Sequence, residues 1–346
     1  MCTVQSLLLS LALLGTATAA RPTELDPCRT VEFQTEFPDP GGGPFTHWRN
    51  TWWSALLHPY HYMPDLVVTE GEAQNLYFHG LYGRALPSHE LFKEEVQLHL
   101  SNSEGEWRLG SVDRTSRGGD AGFLLQGDDV LDPGAHHLKA WVPGDKSEAN
   151  AFAWVWEPGM KAVVTDIDGT CTLDDLEQYL DLIFELGPID YVPEEKPGAT
   201  EVLNHWSSKN VAVVYITARP TYLKEITIQW LRDMGFPLGP IILYGASGGV
   251  LPPLSDAEKI AYKARRIGDL EERIGVRFLA AYGNSGSDRD AFCEALEIPP
   301  ERFFMIDCVD CEPLPGCENS QLWADWYRHL EDLENAGIPQ VRQPCE

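Results

Sequence analysis

Two hydrophobic rhythms divide the chain. Over residues 60–157, short alternating runs are separated by turn clusters: NLYFHGLYG (75–83), VQLHL (96–100), EWRLGSV (106–112), GFLLQG (122–127), HHLKAWV (136–142) and AFAWVW (151–156). A period of two puts successive side chains on opposite faces of a strand, and strands punctuated by PSHE, SNSEGE, SRGGD and DPG predict a small β-sandwich. From Lys161 the rhythm changes. Apolar runs at 161–166, 211–216, 240–244, 277–283 and 302–307 alternate with amphipathic stretches such as TYLKEITIQWLRDMG (221–235) and SDAEKIAYKARRIGDLEERI (255–274). Gly235 is placed to stop the first of these helices, and Ser255, three residues before Glu258, to cap the second. Repeated strand–helix units predict a mostly parallel sheet with helices on both faces, an α/β, Rossmann-like domain over 158–346 closed by a helix in WADWYRHLEDLENAG (323–337). The break falls at Glu157-Pro158-Gly159. Within the segment 20–59, HWRNTWWSALL (47–57) gathers Trp48, Trp52, Trp53, Leu56 and Leu57 on one face of a helix, a stripe expected to pack on the protein's own core, with a membrane interface as the alternative.

Ligands of open α/β sheets gather beyond the carboxyl ends of the strands. The first such strand ends in VTDIDGTCT (164–172), with Asp166 and Asp168 one residue apart. One carboxylate there can attack phosphorus while the other donates and later accepts a proton. Their oxygens also suit Mg²⁺. Gly169 lets backbone amides approach a phosphate, and Thr170 adds a hydroxyl. YITARP (215–220) ends the second strand with Thr217, and AYGNSGSDRD (281–290) ends the fourth with Asn284, Asp288 and Asp290. Lys259 and Lys263 in the preceding helix supply cations that can neutralise phosphate charge. Cys171 is expected to pack, since the aspartates already supply a nucleophile.

This ordered set, D-x-D-G-T, a strand ending in Thr, a Lys and G-N-x-x-x-D, resembles the four motifs of the haloacid dehalogenase-like hydrolase superfamily over about 161–310. DIDGT, ITARP, GFPLGPIIL (235–243) and YGNSGSD (282–288) bring it nearest the lipin and Nir/RdgB group of phosphatidate-related domains, which also place a β-rich domain first. The resemblance implies Asp166 as the nucleophile forming an aspartyl-phosphate and Asp168 as general acid/base. It also implies Gly169, Thr170, Thr217, Ala218 and Lys263 as phosphate-binding residues, Lys259 being the alternative lysine. Asp166, Asp168, Asp288 and Asn284 become the Mg²⁺ ligands. Phosphatidate, cleaved to diacylglycerol and phosphate, is the favoured substrate. A non-catalytic phosphate- or lipid-binding module and a phosphatase for a soluble phosphoester or phosphoprotein are the alternatives. Nir-type relatives have lost the acid/base aspartate; its retention here favours an enzyme. Only about 40 residues (171–210) separate the first motif from the second strand, too few for a full cap domain, so the site is expected to be open unless the β-domain serves as a lid.

Charge narrows the partners. Twenty-six Lys and Arg against 53 Asp and Glu leave a net −27, which repels nucleic-acid phosphates and gives no general attraction to anionic lipid. Residues 1–19 read as a signal peptide, with an apolar run at 7–15 followed by Ala17-Thr18-Ala19, and predict a secreted or secretory-lumen protein. The run is too short to span a bilayer. Cleavage would leave an odd number of cysteines, seven. The C-x2-C-x5-C spacing of Cys308, Cys311 and Cys317 suits disulfides, or zinc with Cys345 as fourth ligand, with pairing left open.

Overall fold

The computed structural model describes residues 36–83, 88–102, 106–173, 193–245, 253, 255–296, 300–308, 311, 317, 321–323 and 325–343. The proposed signal segment, residues 174–192 between the first motif and the second strand, Cys2, Cys28 and Cys345 lie outside these residues.

The alternating runs form the strands they predict. β1 (Leu66–Thr69), β5 (Glu95–Ser101), β6 (Trp107–Arg114), β8 (Gly134–Val142) and β9 (Ser147–Trp156) make a five-stranded sheet in the order β1-β9-β8-β5-β6. β2 (Gln74–His79) pairs with β7 (Asp120–Leu125), and β3 (Leu81–Tyr82) with β4 (His89–Glu90). Their inward positions, among them Phe78, Leu98, Phe123, Leu138 and Val155, close one hydrophobic core.

The second sheet is wholly parallel among the described residues. β10 (Lys161–Thr165), β11 (Ala212–Pro220), β12 (Ile241–Tyr244), β13 (Arg277–Gly283), β14 (Phe303–Ile306) and β15 (Gln321–Trp323) take the order β12-β11-β10-β13-β14-β15. The order reverses between β10 and β13, and a crevice opens at such a switch point. β15 escapes the sequence pattern because three residues, QLW, are too short to show a period. On one face α2 (Ala199–Ser208), α3 (Lys224–Met234) and α6 (Trp326–Ala336) bring Trp206, Trp230 and Trp326 against Val163, Val213 and Tyr215. On the other, α4 (Asp256–Asp269) and α5 (Gly286–Ala295) bring Tyr262, Ile267 and Phe292 against Ala162, Val164 and Val214. Ser255 caps α4 by accepting from the Glu258 N–H, and Gly235 ends α3 in the left-handed region.

The two cores do not separate at Glu157–Gly159. Val67, Ala135, Phe152, Trp154 and Trp156 of the sandwich join the α4/α5 face of the parallel sheet in one cluster. A buried ion pair fixes the joint. Lys224 Nζ lies 2.5 Å from Asp65 Oδ1, with the two side chains 2% and 1% exposed. Asp65 also accepts from the Phe152 and Ile241 N–H groups, at 3.0 and 2.9 Å, so one carboxylate ties both sheets. Lys224 Nζ further donates to the Met63 carbonyl at 2.6 Å.

The Trp-rich stretch does form a helix, α1 (Trp48–Leu56), but its stripe splits. Asn50 sets the rotation: its side chain donates to Phe92 O and Glu94 Oε2, both at 2.9 Å, and accepts from the Phe92 N–H at 2.9 Å. That turns Trp53 and Leu57 onto the sandwich core and leaves Trp48, Trp52 and Leu56 in solvent, against the expectation that the whole stripe packs. The cysteines settle as Cys293–Cys317 and Cys308–Cys311 disulfides, so the Cys308/Cys311/Cys317 spacing does not form a zinc site. Cys171 is a buried free thiol, held in packing as expected.

Removing one partner of the Asp65–Lys224 pair strands a buried charge. Asp65→Ala is therefore expected to lower unfolding free energy by about 3–5 kcal/mol, read by urea denaturation. A loss under about 1 kcal/mol would show that the pair does not hold the joint.

Candidate functional site

The loop after β10 places its two aspartates through a tight turn. The Thr170, Cys171 and Thr172 N–H groups all converge on the Ile167 carbonyl, at 3.2, 2.7 and 3.1 Å. Gly169 adopts φ +71, a conformation that favours glycine, and its N–H donates to Thr172 Oγ1 at 3.0 Å. Ile167 is fully buried in the core between Asp166 and Asp168, so the single intervening residue anchors the loop while both carboxylates reach the crevice. Trp326 of the closing helix braces the turn by donating Nε1 to the Thr170 carbonyl at 2.9 Å.

The two carboxylates have different partners. Asp166 Oδ1 accepts from Lys263 Nζ at 2.6 Å, and the same ammonium reaches Asp288 Oδ1 at 2.5 Å. All three side chains are almost fully buried. Asp288 is positioned by its backbone neighbours: its Oδ2 accepts from the Asn284 and Ser285 N–H groups, both at 3.2 Å, completing a capping box at the start of α5. Gly283 makes room, since a Cβ there would stand 2.5 Å from Asp288 Cβ. Thr170 Oγ1 lies 3.3 Å from Asp166 Oδ2 and 3.0 Å from Asn284 Oδ1, linking the first and fourth motifs. Burial pushes the Asp166 carboxyl up to about 7; Lys263 opposes this, while Asp288 and Asp168 add to it. Burial works against the charge of Lys263, but the two carboxylates together outweigh it and raise the lysine above its ordinary value.

Asp168 faces the other way. Thr217 Oγ1 donates to its Oδ2 at 2.8 Å, and Arg219 Nε donates to Oδ1 at 2.9 Å and to Oδ2 at 3.2 Å, with Nη2 2.8 Å from Oδ1. Arg219 is itself steadied by Nη1 donating to Thr227 Oγ1 at 3.0 Å. The site thus brings together Asp166, Thr170, Lys263, Asp288 and Asn284 on one side, and Asp168 and Thr217 on the other. Ala218 lies between Thr217 and Arg219, partly exposed. Lys259 is not part of the cluster; it pairs with Asp256 at 3.3 Å on the surface of α4. Asp290 pairs with Arg289 at 2.7 Å.

Sequence reading missed Arg219. Its signal was the YITARP motif itself: a guanidinium two residues after Thr217 on the same strand end shares that residue's face. It also missed Lys196, whose N–H binds the Cys171 carbonyl at 2.8 Å and whose ammonium pairs with Asp307 at 3.5 Å, beyond the end of β14.

Asp166 Oδ1 and Asp288 Oδ1 converge on a single cationic centre, here the Lys263 ammonium. Mg²⁺ binds through one or two carboxylates and keeps water for the rest, so these two oxygens fit such an ion, with Asn284 Oδ1 adjacent through Thr170. The Asp168 side chain does not fit the ligand set expected for it, because the Arg219 fork and Thr217 hold both of its oxygens. Among the described residues no group of three His, Cys, Asp or Glu side chains is arranged for a metal.

Fold and site together define a β-sandwich followed by an α/β domain of the haloacid dehalogenase-like, phosphatase type. Residues 163–307 match the family model described as PITM 1-3, LNS2 domain, and residues 59–155 match that of PITM 1-3, beta-sandwich domain. Protein retinal degeneration B of Drosophila melanogaster is 29% identical over 65% of this chain and 16% of its own length. Human membrane-associated phosphatidylinositol transfer protein 1 is 27% identical over 79% of this chain and 20% of its own. The human type 3 protein is 26% identical over 71% and 23%. The chain thus spans no more than about a quarter of the length of these relatives. They fall on the Nir/RdgB side of the resemblance. A D,D-heptose 1.7-bisphosphate phosphatase from B. bronchiseptica complexed with magnesium and phosphate aligns with 51% of this chain and 100% of its own, at 19% identity and a TM-score of 0.33. A cobalt-bound deoxy-D-mannose-octulosonate 8-phosphate phosphatase from Haemophilus influenzae aligns with 51% and 86%, at 17% and 0.33. Likenesses this distant say nothing of substrate or mechanism.

The expectation of a secreted or secretory-lumen protein is overturned by these relatives, which are described as membrane-associated and not as exported. The apolar run that suggested it lies in residues 1–19, outside the described part of the chain. No helix among the described residues is long and apolar enough to cross a membrane.

Replacing Lys263 with Met would leave two buried carboxylates facing each other. Lys263→Met is expected to cost about 3–5 kcal/mol of stability without divalent ions. Millimolar Mg²⁺ is then expected to raise its melting temperature more than that of the unaltered chain. Equal Mg²⁺-induced shifts would count against a shared cation position for Asp166 and Asp288.

Proposed function

We propose that the α/β domain hydrolyses phosphomonoesters with the help of Mg²⁺, through an aspartyl-phosphate on Asp166, and that phosphatidate is its favoured substrate. The observation carrying this reading is the buried Asp166–Lys263–Asp288 cluster, with Asp168 held two residues away in the same turn. Asp166 Oδ1 is occupied by Lys263, whereas among the described residues Oδ2 meets Thr170 alone, at 3.3 Å, so Oδ2 is the nucleophilic oxygen.

Oδ2 attacks phosphorus in line. The phosphorus–ester oxygen bond breaks, and its electron pair leaves on the alkoxide, which takes the proton of Asp168, protonated from solvent once substrate has drawn Arg219 and Thr217 off it. From phosphatidate this releases diacylglycerol. Asp168 then accepts a proton from a water molecule that attacks the phosphorus, freeing phosphate and restoring the Asp166 carboxylate. Lys263 keeps the attacking carboxylate oriented and neutralises phosphoryl charge. Bound Mg²⁺, held by Asp166 and Asp288, would supply further charge stabilisation for the phosphoryl oxygens. For Asp168 to move protons, Arg219 and Thr217 must release at least one of its oxygens. The substrate phosphate, itself an acceptor, competes for both donors and thereby frees the acid as it binds.

A lipid substrate is supported by the relatives' names as phosphatidylinositol transfer proteins. The occupancy of both Asp168 oxygens favours a second reading, in which the same site binds a phosphomonoester headgroup without turnover.

The chain with Mg²⁺ is expected to release phosphate from an aryl phosphate and from phosphatidate vesicles. Asp168→Asn should lower the rate about 10²–10⁴-fold, and Asp166→Asn should abolish it. No release from any soluble or vesicle-borne phosphoester, with phosphatidate vesicles still bound, would replace the hydrolase with the binder.

A further inference from the structure

Three large apolar side chains stand in water along one face of a single helix. Trp48 is 73% exposed, Trp52 61% and Leu56 63%, and they recur every four residues along α1. Residues four apart lie one above another on a helix, so the three form a continuous strip. Among the other exposed large apolar residues of the sandwich, Leu109 and Val112 lie on β6 and Leu124 on β7, away from α1 in sequence.

The exposure is built in. The Asn50 side chain is clamped on Phe92 and Glu94, and Trp53 stacks on His89 with ring centroids 3.4 Å apart. The helix therefore cannot roll its outer face inward without breaking buried hydrogen bonds. Each outer ring also has a neighbour: Trp48 stacks on His47 at 6.0 Å, and Trp52 meets Trp53 edge-on at 5.8 Å.

The charge around the strip is the reverse of the chain's average. Residues 40–64 contain no Asp or Glu, in a chain carrying 53 acids. Two cations bracket the Phe92 ring beside the helix, Arg49 at 4.9 Å and Lys93 at 5.7 Å. The acids flanking Phe92 in sequence, Glu90 and Glu94, are engaged elsewhere. Glu94 is buried under Thr46 and Asn50, and Glu90 pairs with His79 at 3.0 Å.

We propose that this face of α1 docks on an anionic lipid bilayer, with Trp48, Trp52 and Leu56 in the interfacial layer and Arg49 and Lys93 against the headgroups. Indole rings favour that layer, being apolar with one polar N–H. A few cations beside an inserted apolar face supply the electrostatic part of such binding. The net −27 keeps the rest of the surface off an anionic membrane, so the patch also sets the orientation. The hydrolase reading is not needed for this proposal.

The test is cosedimentation of the full chain with phosphatidylcholine vesicles and with phosphatidylcholine/phosphatidylserine vesicles, which offer no phosphomonoester. The chain is expected to sediment with the serine-containing vesicles. Trp48→Ser/Trp52→Ser should weaken this about ten-fold or more, with the melting temperature unchanged. Arg49→Glu/Lys93→Glu should remove the preference for serine-containing vesicles. Equal binding by the Trp variant, or no binding by the unaltered chain, overturns the proposal. So does a fall in oligomeric mass in the Trp variant with vesicle binding intact, which would make the strip a contact between copies.

Discussion

Three buried charges that cannot be separated hold the candidate site together. An ammonium group between two carboxylates is tolerable in a protein interior only while all three remain in contact, because any one alone would carry the full cost of lost hydration. Lys263, Asp166 and Asp288 meet that condition at 2.5–2.6 Å. They come from a helix, a strand end and a helix N-terminus, so the contact pins α4, β10 and α5 around the switch point of the sheet. The Ile167-centred turn, the Asp288 capping box and the bare Cα of Gly283 all keep these oxygens where the ammonium can reach them.

The second charged pair, Asp168 with Arg219, uses different chemistry for a different end. The Arg219 Nε–H reaches both oxygens of Asp168, with Nη2 beside Oδ1, so the guanidinium orients the carboxylate while Thr217 donates to Oδ2. Lys263 and Arg219 offset two of the three carboxylates Asp166, Asp168 and Asp288, so the crevice is far less acidic than the chain as a whole. Beneath the crevice, the shared core and the Asp65–Lys224 pair join the sandwich to the scaffold of the α/β domain, so it is not a separate bead.

Much of this was legible in the residues. The parallel sheet follows from runs such as AVV and VAVVYI, because buried parallel strands read as continuous apolar stretches. The convergence of Asp166 and Asp288 follows from their places at strand ends, whereas the choice of Lys263 over Lys259 rests on the family resemblance alone. What escaped was set by tertiary contact. The split of the Trp stripe depends on Asn50 finding Glu94, 44 positions away. The turning of Asp168 toward Arg219 depends on a loop geometry that D-x-D spacing does not encode. β15 is too short to show any period. The export expectation failed for another reason: an apolar run with small residues after it is a local pattern, and the relatives overrule it.

The central claim is that Asp166 takes the phosphoryl group. The direct measurement is rapid acid quench of the chain during turnover of a phosphomonoester with Mg²⁺, followed by mass spectrometry of its peptides. A phosphoryl adduct on Asp166, absent from Asp166→Asn, is the predicted result. Phosphate release with no adduct on Asp166, or with one on another residue, would contradict it.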